Sequence, residues 1–280
     1  RTAISPRLAM RTELNTPYGG RVGLDDARSA LAASRFAELL WVPSTGSTNS
    51  DLAARAREDG SECVLVADVQ TAGRGRLDRR WESPPGATLM MSVLTRGPFT
   101  GGGPHSVPTA LSLAVRAAIE ALTGLAVGLK WPNDLVVGVD GVHLKLGGVL
   151  AELATPDALV VGIGVNLSWG DGLPDDLAAT ATSMDLLGHP VERWDLVAAS
   201  LLELDSRLRS LGEPGGEERL AEDHRAACVT LGRRVRVELP RSELLGTAVD
   251  VTGEGALVVA DDEGARHVVT VGDVVHLRPA

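Results

Sequence analysis

Gln70-Thr-Ala-Gly-Arg-Gly-Arg-Leu-Asp-Arg-Arg-Trp81 is the stretch from which the fold and the chemistry of this chain are read. It follows Val64-Leu-Val-Ala-Asp-Val69, a β-branched run that predicts a buried strand. Gly73 and Gly75 alternate with Arg74 and Arg76, and Arg79 and Arg80 follow the single acid Asp78. Glycine lets the backbone take positive φ and approach a ligand with no Cβ in the way. Arginine offers a planar fork of donors matched to carboxylate and phosphate oxygens. The loop therefore reads as an anion-binding turn after a strand; its glycines favour disorder, and the sequence leaves open whether it is ordered before a ligand arrives. Taken alone, it reads equally as a solvated surface loop or as part of a nucleic-acid patch. It lacks the third glycine of a dinucleotide fingerprint and the Gly-Lys-Ser/Thr of a P-loop.

The loop runs against the charge of its surroundings. Lys and Arg total 27 against 37 Asp and Glu, a formal net charge of -10. A phosphate-tracking basic surface is not expected on such a chain, which disfavours general nucleic-acid binding but not a small basic pocket. With 280 residues, 44% hydrophobic and 23% charged, the composition is that of a globular protein of one or two domains. Aromatics make up only 3%, so the core must be built from Ala, Val and Leu. Cys63 and Cys228 stand far apart and read as reduced core residues, not as a disulfide or metal framework. No run approaches the ~18 apolar residues of a membrane span. Residues 1–20 lack the apolar centre of a secretory signal. The expected location is the cytoplasm, with neither membrane nor nucleic acid as partner.

Outward from the loop, residues 1–20 read as a disordered start and Asp25–Phe36 as a short helix capped near Asp25 or Asp26. Ser44-Thr-Gly-Ser-Thr-Asn-Ser-Asp51 leads into a helix at Leu52–Glu58, and its side chains supply N-caps. Ser47, Thr48 and Asn49 exceed what capping needs and are placed to hydrogen-bond a small polar ligand. Thr88–Thr95 predicts a strand, Val107–Leu122 a helix with Pro108 in its first turn, and Leu125–Leu129 a strand. Leu135-Val-Val and Lys145–Leu153 read as a hairpin about Gly138–His143, and Ala158–Leu167 as another strand. Gly162 and Gly164 there mark a close approach of backbone or ligand. An apolar stripe from Trp194 to Leu211 predicts a packing helix, and Glu217–Ala227 a second, with His224 as an exposed residue. From Gly232 short alternating strands predict a small barrel. The expected division is a segment 1–20, a catalytic domain 21–230 and a barrel 231–280.

Two further motifs bear on the loop. Lys130-Trp-Pro-Asn-Asp134 is good turn chemistry, and Lys145-Leu-Gly-Gly148 fits a strand with a glycine bulge. Both nevertheless put a lysine at the end of neighbouring strands. With the arginine loop they bring cations from three segments of an acidic protein, as a phosphate-bearing substrate requires when a leaving group departs.

In this order along the chain, Gln70–Arg76 with Trp81, Lys130–Asp134 and Lys145-Leu-Gly-Gly-Val-Leu-Ala-Glu152 resemble the biotin–protein ligases. Ser47-Thr-Asn49 and Gly162-Ile-Gly-Val-Asn166 fit the same pattern, and the resemblance spans about residues 40–280. It implies an α+β fold, a mixed β-sheet flanked by helices of the class II aminoacyl-tRNA synthetase-like kind, closed by a C-terminal SH3-like β-barrel. It implies a two-step reaction: biotin and ATP give biotinyl-5′-AMP and pyrophosphate, and a lysine of a biotin carboxyl carrier protein then takes the biotin.

Carried over residue by residue, Ser47, Thr48, Asn49, Gln70, Gly73, Gly75, Arg74, Arg76 and Lys145 are expected to meet biotin. Arg74 and Arg76 would hold its carboxylate and the α-phosphate. Arg79, Trp81, Lys130, Asn133 and Asn166 are expected on the ATP side. Arg76, Lys145, Lys130 and Asp134 form the catalytic set, with Asp134 to orient Mg²⁺ or the incoming lysine and no dedicated protein ligands for the metal. Two departures stand out. Gly147 replaces a more usual alanine, expected to loosen the strand slightly. Residues 1–40 do not resemble the winged helix-turn-helix of family members that repress transcription, so ligase activity without DNA binding is expected. The nearest rival reading is a lipoate–protein ligase, which would share fold and acyl-adenylate chemistry.

Overall fold

A computed structural model of the chain describes residues 23–277 apart from 59, 78, 98, 100–102, 171, 240 and 241. The expected disorder of residues 1–20 lies outside the described residues. Seven strands form one mixed sheet in the order β1-β2-β3-β7-β6-β5-β4. They are β1 (Leu39–Val42), β2 (Cys63–Ala67), β3 (Thr88–Arg96), β4 (Gly128–Lys130), β5 (Asp134–Val139), β6 (Val142–Thr155) and β7 (Ala158–Asn166). Only β1 and β2 run parallel; every other neighbour pair is antiparallel.

Period-two alternation gives this sheet two different faces. Leu89, Met91 and Val93 of β3, with Leu159, Val161, Ile163 and Val165 of β7, enter the main core. That face is covered by α1 (Leu24–Leu31), α3 (Ser106–Thr123) and α5 (Arg193–Leu211). The opposite face carries α2 (Thr48–Arg57) over a smaller cluster of Leu52, Ala56, Leu65, Leu94 and Val160. Along the same strands Ser92, Gly162, Gly164 and Asn166 open onto a cleft beside α2. The short α4 (Asp175–Ala178) borders that cleft, and α6 (Gly216–Ala227) leads out of the sheet.

The C-terminal strands β8 (Arg234–Leu239), β9 (Ser242–Val251), β10 (Leu257–Ala260), β11 (Arg266–Val269) and β12 (Asp273–His276) form an antiparallel sheet in the order β11-β10-β9-β8-β12. Val269 of one edge strand and Val274 of the other share a single core with Val235, Val237, Ala248, Leu257 and Val259. The sheet thus wraps upon itself, as an SH3-like barrel does. Trp131 pins it to the larger sheet: only 3% exposed, it packs into the barrel core. Its indole N–H donates to Gly255 O at 2.9 Å and its main-chain N–H to Thr230 Oγ1 at 3.1 Å.

Several elements differ from expectation. α1 stops at Leu31, and the Gly23 N–H at its start is met by the Asp26 carboxylate at 2.9 Å. Phe36 is buried without being helical, since packing and not helical period holds it. α2 begins at Thr48, with Ser47 at the N-cap position making no side-chain cap bond, because the polar side chains there face the cleft instead. β4 covers Gly128–Lys130 only. His224 is not an exposed helix residue: it is partly buried, and desolvation with Arg225 beside it pushes its pKa down to about 4.

Candidate active site

The cleft measures about 700 Å³. Ser47, Thr48, Asn49, Gln70, Arg74, Gly75, Arg76, Arg79, Trp81, Lys130, Asn133, Asp134, Lys145 and Asn166 all line it. Gly73 does not. It is buried, and a Cβ there would stand 2.3 Å from the Trp81 carbonyl oxygen. Its part is to let the loop fold back tightly, with Trp81 N–H donating to Gly73 O at 3.0 Å and Gly75 N–H to Arg79 O at 2.7 Å. The Thr71 and Ala72 N–H groups tie the start of the loop to Thr45 O and Gly46 O.

At one end of the cleft, neutral side chains from α2, β3 and the loop interlock. Gln70 Oε1 accepts the Thr48 N–H at 2.8 Å, and Thr48 Oγ1 lies 2.6 Å from Ser92 Oγ. Ser92 Oγ donates to Asn49 Oδ1 at 2.6 Å. Asn49 Nδ2 donates to Glu152 Oε2 at 2.7 Å and to Leu150 O at 3.2 Å. Thr48, Asn49 and Ser92 are at most 4% exposed, so these bonds act in low dielectric. Gly162 makes room for them: a Cβ there would sit 2.2 Å from Asn49 Oδ1.

The other end holds the charges. A bulge in the β5–β6 ladder lies between Leu135 and Val136. Lys145 opposite Val136 and Gly148 opposite Asp134 then both face the cleft. Lys145 Nζ pairs with Asp134 Oδ1 at 2.7 Å and stands 5.5 Å from the Trp81 ring centre. A Cβ on Gly148 would approach both Asp134 Oδ1 and Lys145 Nζ to 3.3 Å. Gly147 is not a mere loosening of the strand, since an alanine Cβ would meet Gly164 O at 2.5 Å. Gly164 in turn gives way to the Trp81 ring, which a Cβ there would meet at 2.8 Å. The indole N–H groups of Trp81 and Trp169, both on the lining, are buried with no partner among the described residues.

The arginines divide. Arg74 turns toward the neutral end, donating to Glu152 at 2.9 Å and to Ser50 Oγ at 3.1 Å. Arg76 and Arg79 turn toward the barrel, where both pair with Asp273, and Arg76 also reaches Gly272 O at 3.4 Å. No carboxylate pairs with Lys130 among the described residues. Lys130 is felt by His276, whose pKa burial lowers to about 4 with help from Lys130 and Arg233. Asn133 and Asn166 are partly committed to structure: Asn133 Nδ2 donates to Val149 O at 2.7 Å and Asn166 Nδ2 to Thr182 O at 2.9 Å. Among the described residues no group of three His, Cys, Asp or Glu could hold a metal ion.

Comparison with known proteins meets this geometry. Residues 41–166 match the biotin/lipoate A/B protein ligase family, and residues 230–277 match the biotin protein ligase C terminal domain. The chain is 39% identical to the biotin–[acetyl-CoA-carboxylase] ligase of Mycobacterium tuberculosis over 255 residues, 88% of this chain and 92% of the relative. It belongs to the biotin protein ligase family. The bifunctional ligase/repressor BirA of Bacillus spizizenii is 28% identical over 81% of this chain and 70% of its own length. The Aquifex aeolicus biotin protein ligase solved in complex with biotin and ATP superposes with a TM-score of 0.73 at 29% identity. That match covers 87% of this chain and all of the other.

For a biotin protein ligase, four important side chains carry roles that the sequence motifs did not assign. Ser92 and Glu152 tie the neutral end together, Asp273 holds two loop arginines, and Trp131 fixes the barrel. Glu152 alone carried a local signal. It is the third position, after Gly148 and Leu150, on the cleft-facing side of β6, where a carboxylate is out of place unless partnered.

Proposed function

We propose that the protein joins biotin to ATP, giving biotinyl-5′-AMP, and then passes the biotin to a lysine of a carboxylase's biotin carboxyl carrier protein. The observation that carries this reading is the polarity of the cleft. A buried set of neutral hydrogen-bonding groups at Thr48, Asn49, Ser92 and Gln70 fits an uncharged polar ring. Lys145, Lys130 and Arg76 at the other end fit a carboxylate meeting a triphosphate. In the first step a biotin carboxylate oxygen attacks the α-phosphorus, and the bond to the β-phosphate oxygen breaks with its electron pair leaving on pyrophosphate. In the second a lysine amine attacks the acyl carbon and AMP departs.

Two unit charges 4 Å apart repel by about 4 kcal/mol at an effective dielectric near 20, so cations must stand between the reacting anions. Lys145, fixed by Asp134, is assigned to that place, where charge builds on the phosphoryl oxygens. Arg76 is assigned to the carboxylate and α-phosphate, and Arg79, Trp81, Lys130, Asn133 and Asn166 to the nucleotide. Arg74 contributes by anchoring the loop to Glu152. Mg²⁺ would arrive with the triphosphate, since the described residues offer it no ligand cluster and Asp134 is engaged by Lys145. Residues 21–230 are taken as the catalytic domain and 231–280 as the barrel that closes it. The test is biotin-dependent pyrophosphate release with MgATP, followed by labelling of an acceptor-domain lysine. Folded protein that releases none, or that prefers lipoate, would refute the proposal.

A further inference from the structure

On that reading Lys145 is the fixed charge at the reacting centre, and we propose that Asp185 is the residue that positions it. Asp185 acts through Ser183 and the stretch Thr180–Thr182, which takes the place of β7 beside the lysine.

The sheet by itself leaves Lys145 loosely held. β7 pairs with β6 from Gly147, opposite Val165, onward and ends at Asn166, so it stops short of the lysine. On the other side Lys145 faces Val136, directly past the bulge in the β5–β6 ladder. Main-chain groups in such a place need another partner. Two bonds supply it. Lys145 N–H donates to Thr180 O at 2.8 Å, and Thr182 N–H donates to Lys145 O at 2.9 Å. The pairing is parallel, with Ala181 opposite Lys145. The same stretch holds Asn166, whose Nδ2 donates to Thr182 O at 2.9 Å, while Met184 N–H donates to Asn166 O at 3.1 Å. Two cleft residues from two strands therefore rest on one piece of backbone.

That piece lies outside the seven strands and needs an anchor of its own. After Asn166 the chain leaves the sheet, lines the cleft with Trp169, Leu173 and Leu177, and returns at Thr180. Asp185 ties the departure to the return. Its Oδ2 accepts the Ser168 hydroxyl at 3.1 Å, the Trp169 N–H at 3.0 Å and the Gly170 N–H at 3.1 Å. Its Oδ1 accepts the Ser183 hydroxyl and, at 2.9 Å, the Leu186 N–H. An ionised carboxylate suits five donors because it has no proton to place among them. Burial raises the Asp185 pKa, yet the bonds from Ser183, Trp169, Gly170 and Ser168 outweigh it and hold the carboxyl below its usual range. Asp185 does not itself line the cleft, so its effect on the chemistry passes through Lys145.

The experiment compares wild type, Asp185→Asn, Lys145→Ala and the double variant. Asparagine keeps the shape but turns an NH₂ toward the donors on one side. A shift of about 1 Å at a reacting centre can cost roughly 10²-fold, so kcat for biotin-dependent pyrophosphate release should fall by about 10–100-fold in Asp185→Asn. Biotin affinity by calorimetry should stay within about twofold, since Thr48, Asn49 and Ser92 are held by other partners. In the Lys145→Ala background the same change should cost less than about twofold, because no amine is left to position. A second readout needs no turnover. Lys130 and Lys145 are the only lysines in the sequence, so labelling by a small amine-acylating reagent is read at each by peptide mass spectrometry. Asp185→Asn should raise the labelling of Lys145 relative to Lys130 by roughly threefold, the scale of one released exposed ion pair. Ser183→Ala removes a single bond, should give the same pattern in weaker form, and decides the matter where Asp185→Asn fails to fold. Full additivity with Lys145→Ala, a biotin affinity that falls in step with kcat, or an unchanged labelling ratio would overturn the positioning role. Wild type that releases no pyrophosphate would sink the ligase reading, while the labelling ratio still decides whether Asp185 holds Lys145.

Discussion

The two ends of the cleft are built by opposite means. At the neutral end Thr48, Asn49 and Ser92 sit on a helix and a central strand, nearly inaccessible to water, and every bond is short and internal. At the charged end Lys145 is 36% exposed and Arg79 67% exposed, and these two lean on carboxylates, Asp134 and Asp273, that a substrate anion can replace. Exposed ion pairs of this sort are weak, on the order of 0–1 kcal/mol, and so are easily exchanged. Buried hydrogen bonds are costly to leave unmade, which makes them poor at moving and good at discriminating. One end is made to recognise and the other to rearrange.

The largest effect that would sharpen this contrast is expected from Lys145→Ala. Biotin-dependent pyrophosphate release should fall by about 10²–10³-fold, the usual loss when a fixed charge at the reacting centre is removed. Thermal unfolding should change little. Wild-type turnover would break the contrast at its charged end. Gly162→Ala probes the other end, since its Cβ would sit 2.2 Å from Asn49 Oδ1 in a layer with nowhere to move. It should raise the biotin KM by roughly 10²-fold with a smaller change in kcat; a kcat defect of equal size would mean that recognition and chemistry are not separated. Arg76→Ala should speed escape of biotinyl-5′-AMP by about tenfold, read as free adenylate by chromatography. An unchanged adenylate lifetime would remove Arg76 from the phosphoryl group.

A smaller effect is expected from Asp273→Asn, which releases Arg76 and Arg79 from their shared internal partner. The KM for ATP should fall by about threefold at low salt, with the advantage fading as salt is raised. A rise instead would mean that Asp273 positions the arginines for nucleotide and does not compete with it. Least in size is a pH effect at the border between sheet and barrel. His224 and His276 have folded-state values near 4 against about 6.5 unfolded, so below 6.5 the unfolded chain binds more protons. Their contribution is full above pH 6.5 and is lost as pH falls toward 4, by at most about 1.4 kcal/mol per pH unit for each proton. The melting temperature should drop across that window, and less steeply in His224→Gln. An equally steep drop in that variant would clear His224 of the effect.

What could be read ahead of the structure was whatever local pattern controls. β-branched runs marked β2, β3 and β7, and Gly124 closes α3 just past its predicted end, in the left-handed conformation. Glycine-arginine alternation and lysine-bearing turns marked the cations, because such residues are misplaced in ordinary strands and turns. The end of α1 at Leu31 and the partial burial of His224 were hidden, since tertiary packing decides both.

By itself, then, the sequence determined where most of the strands fall along the chain, the residue types of the site and the family. Only the tertiary structure decided who partners whom. Ser92 meets Asn49 across 43 residues, Arg74 meets Glu152 across 78, and Arg76 meets Asp273 across 197. No local pattern encodes such meetings. They arise because the sheet order sets β3 beside β7 and folds the barrel back over the loop.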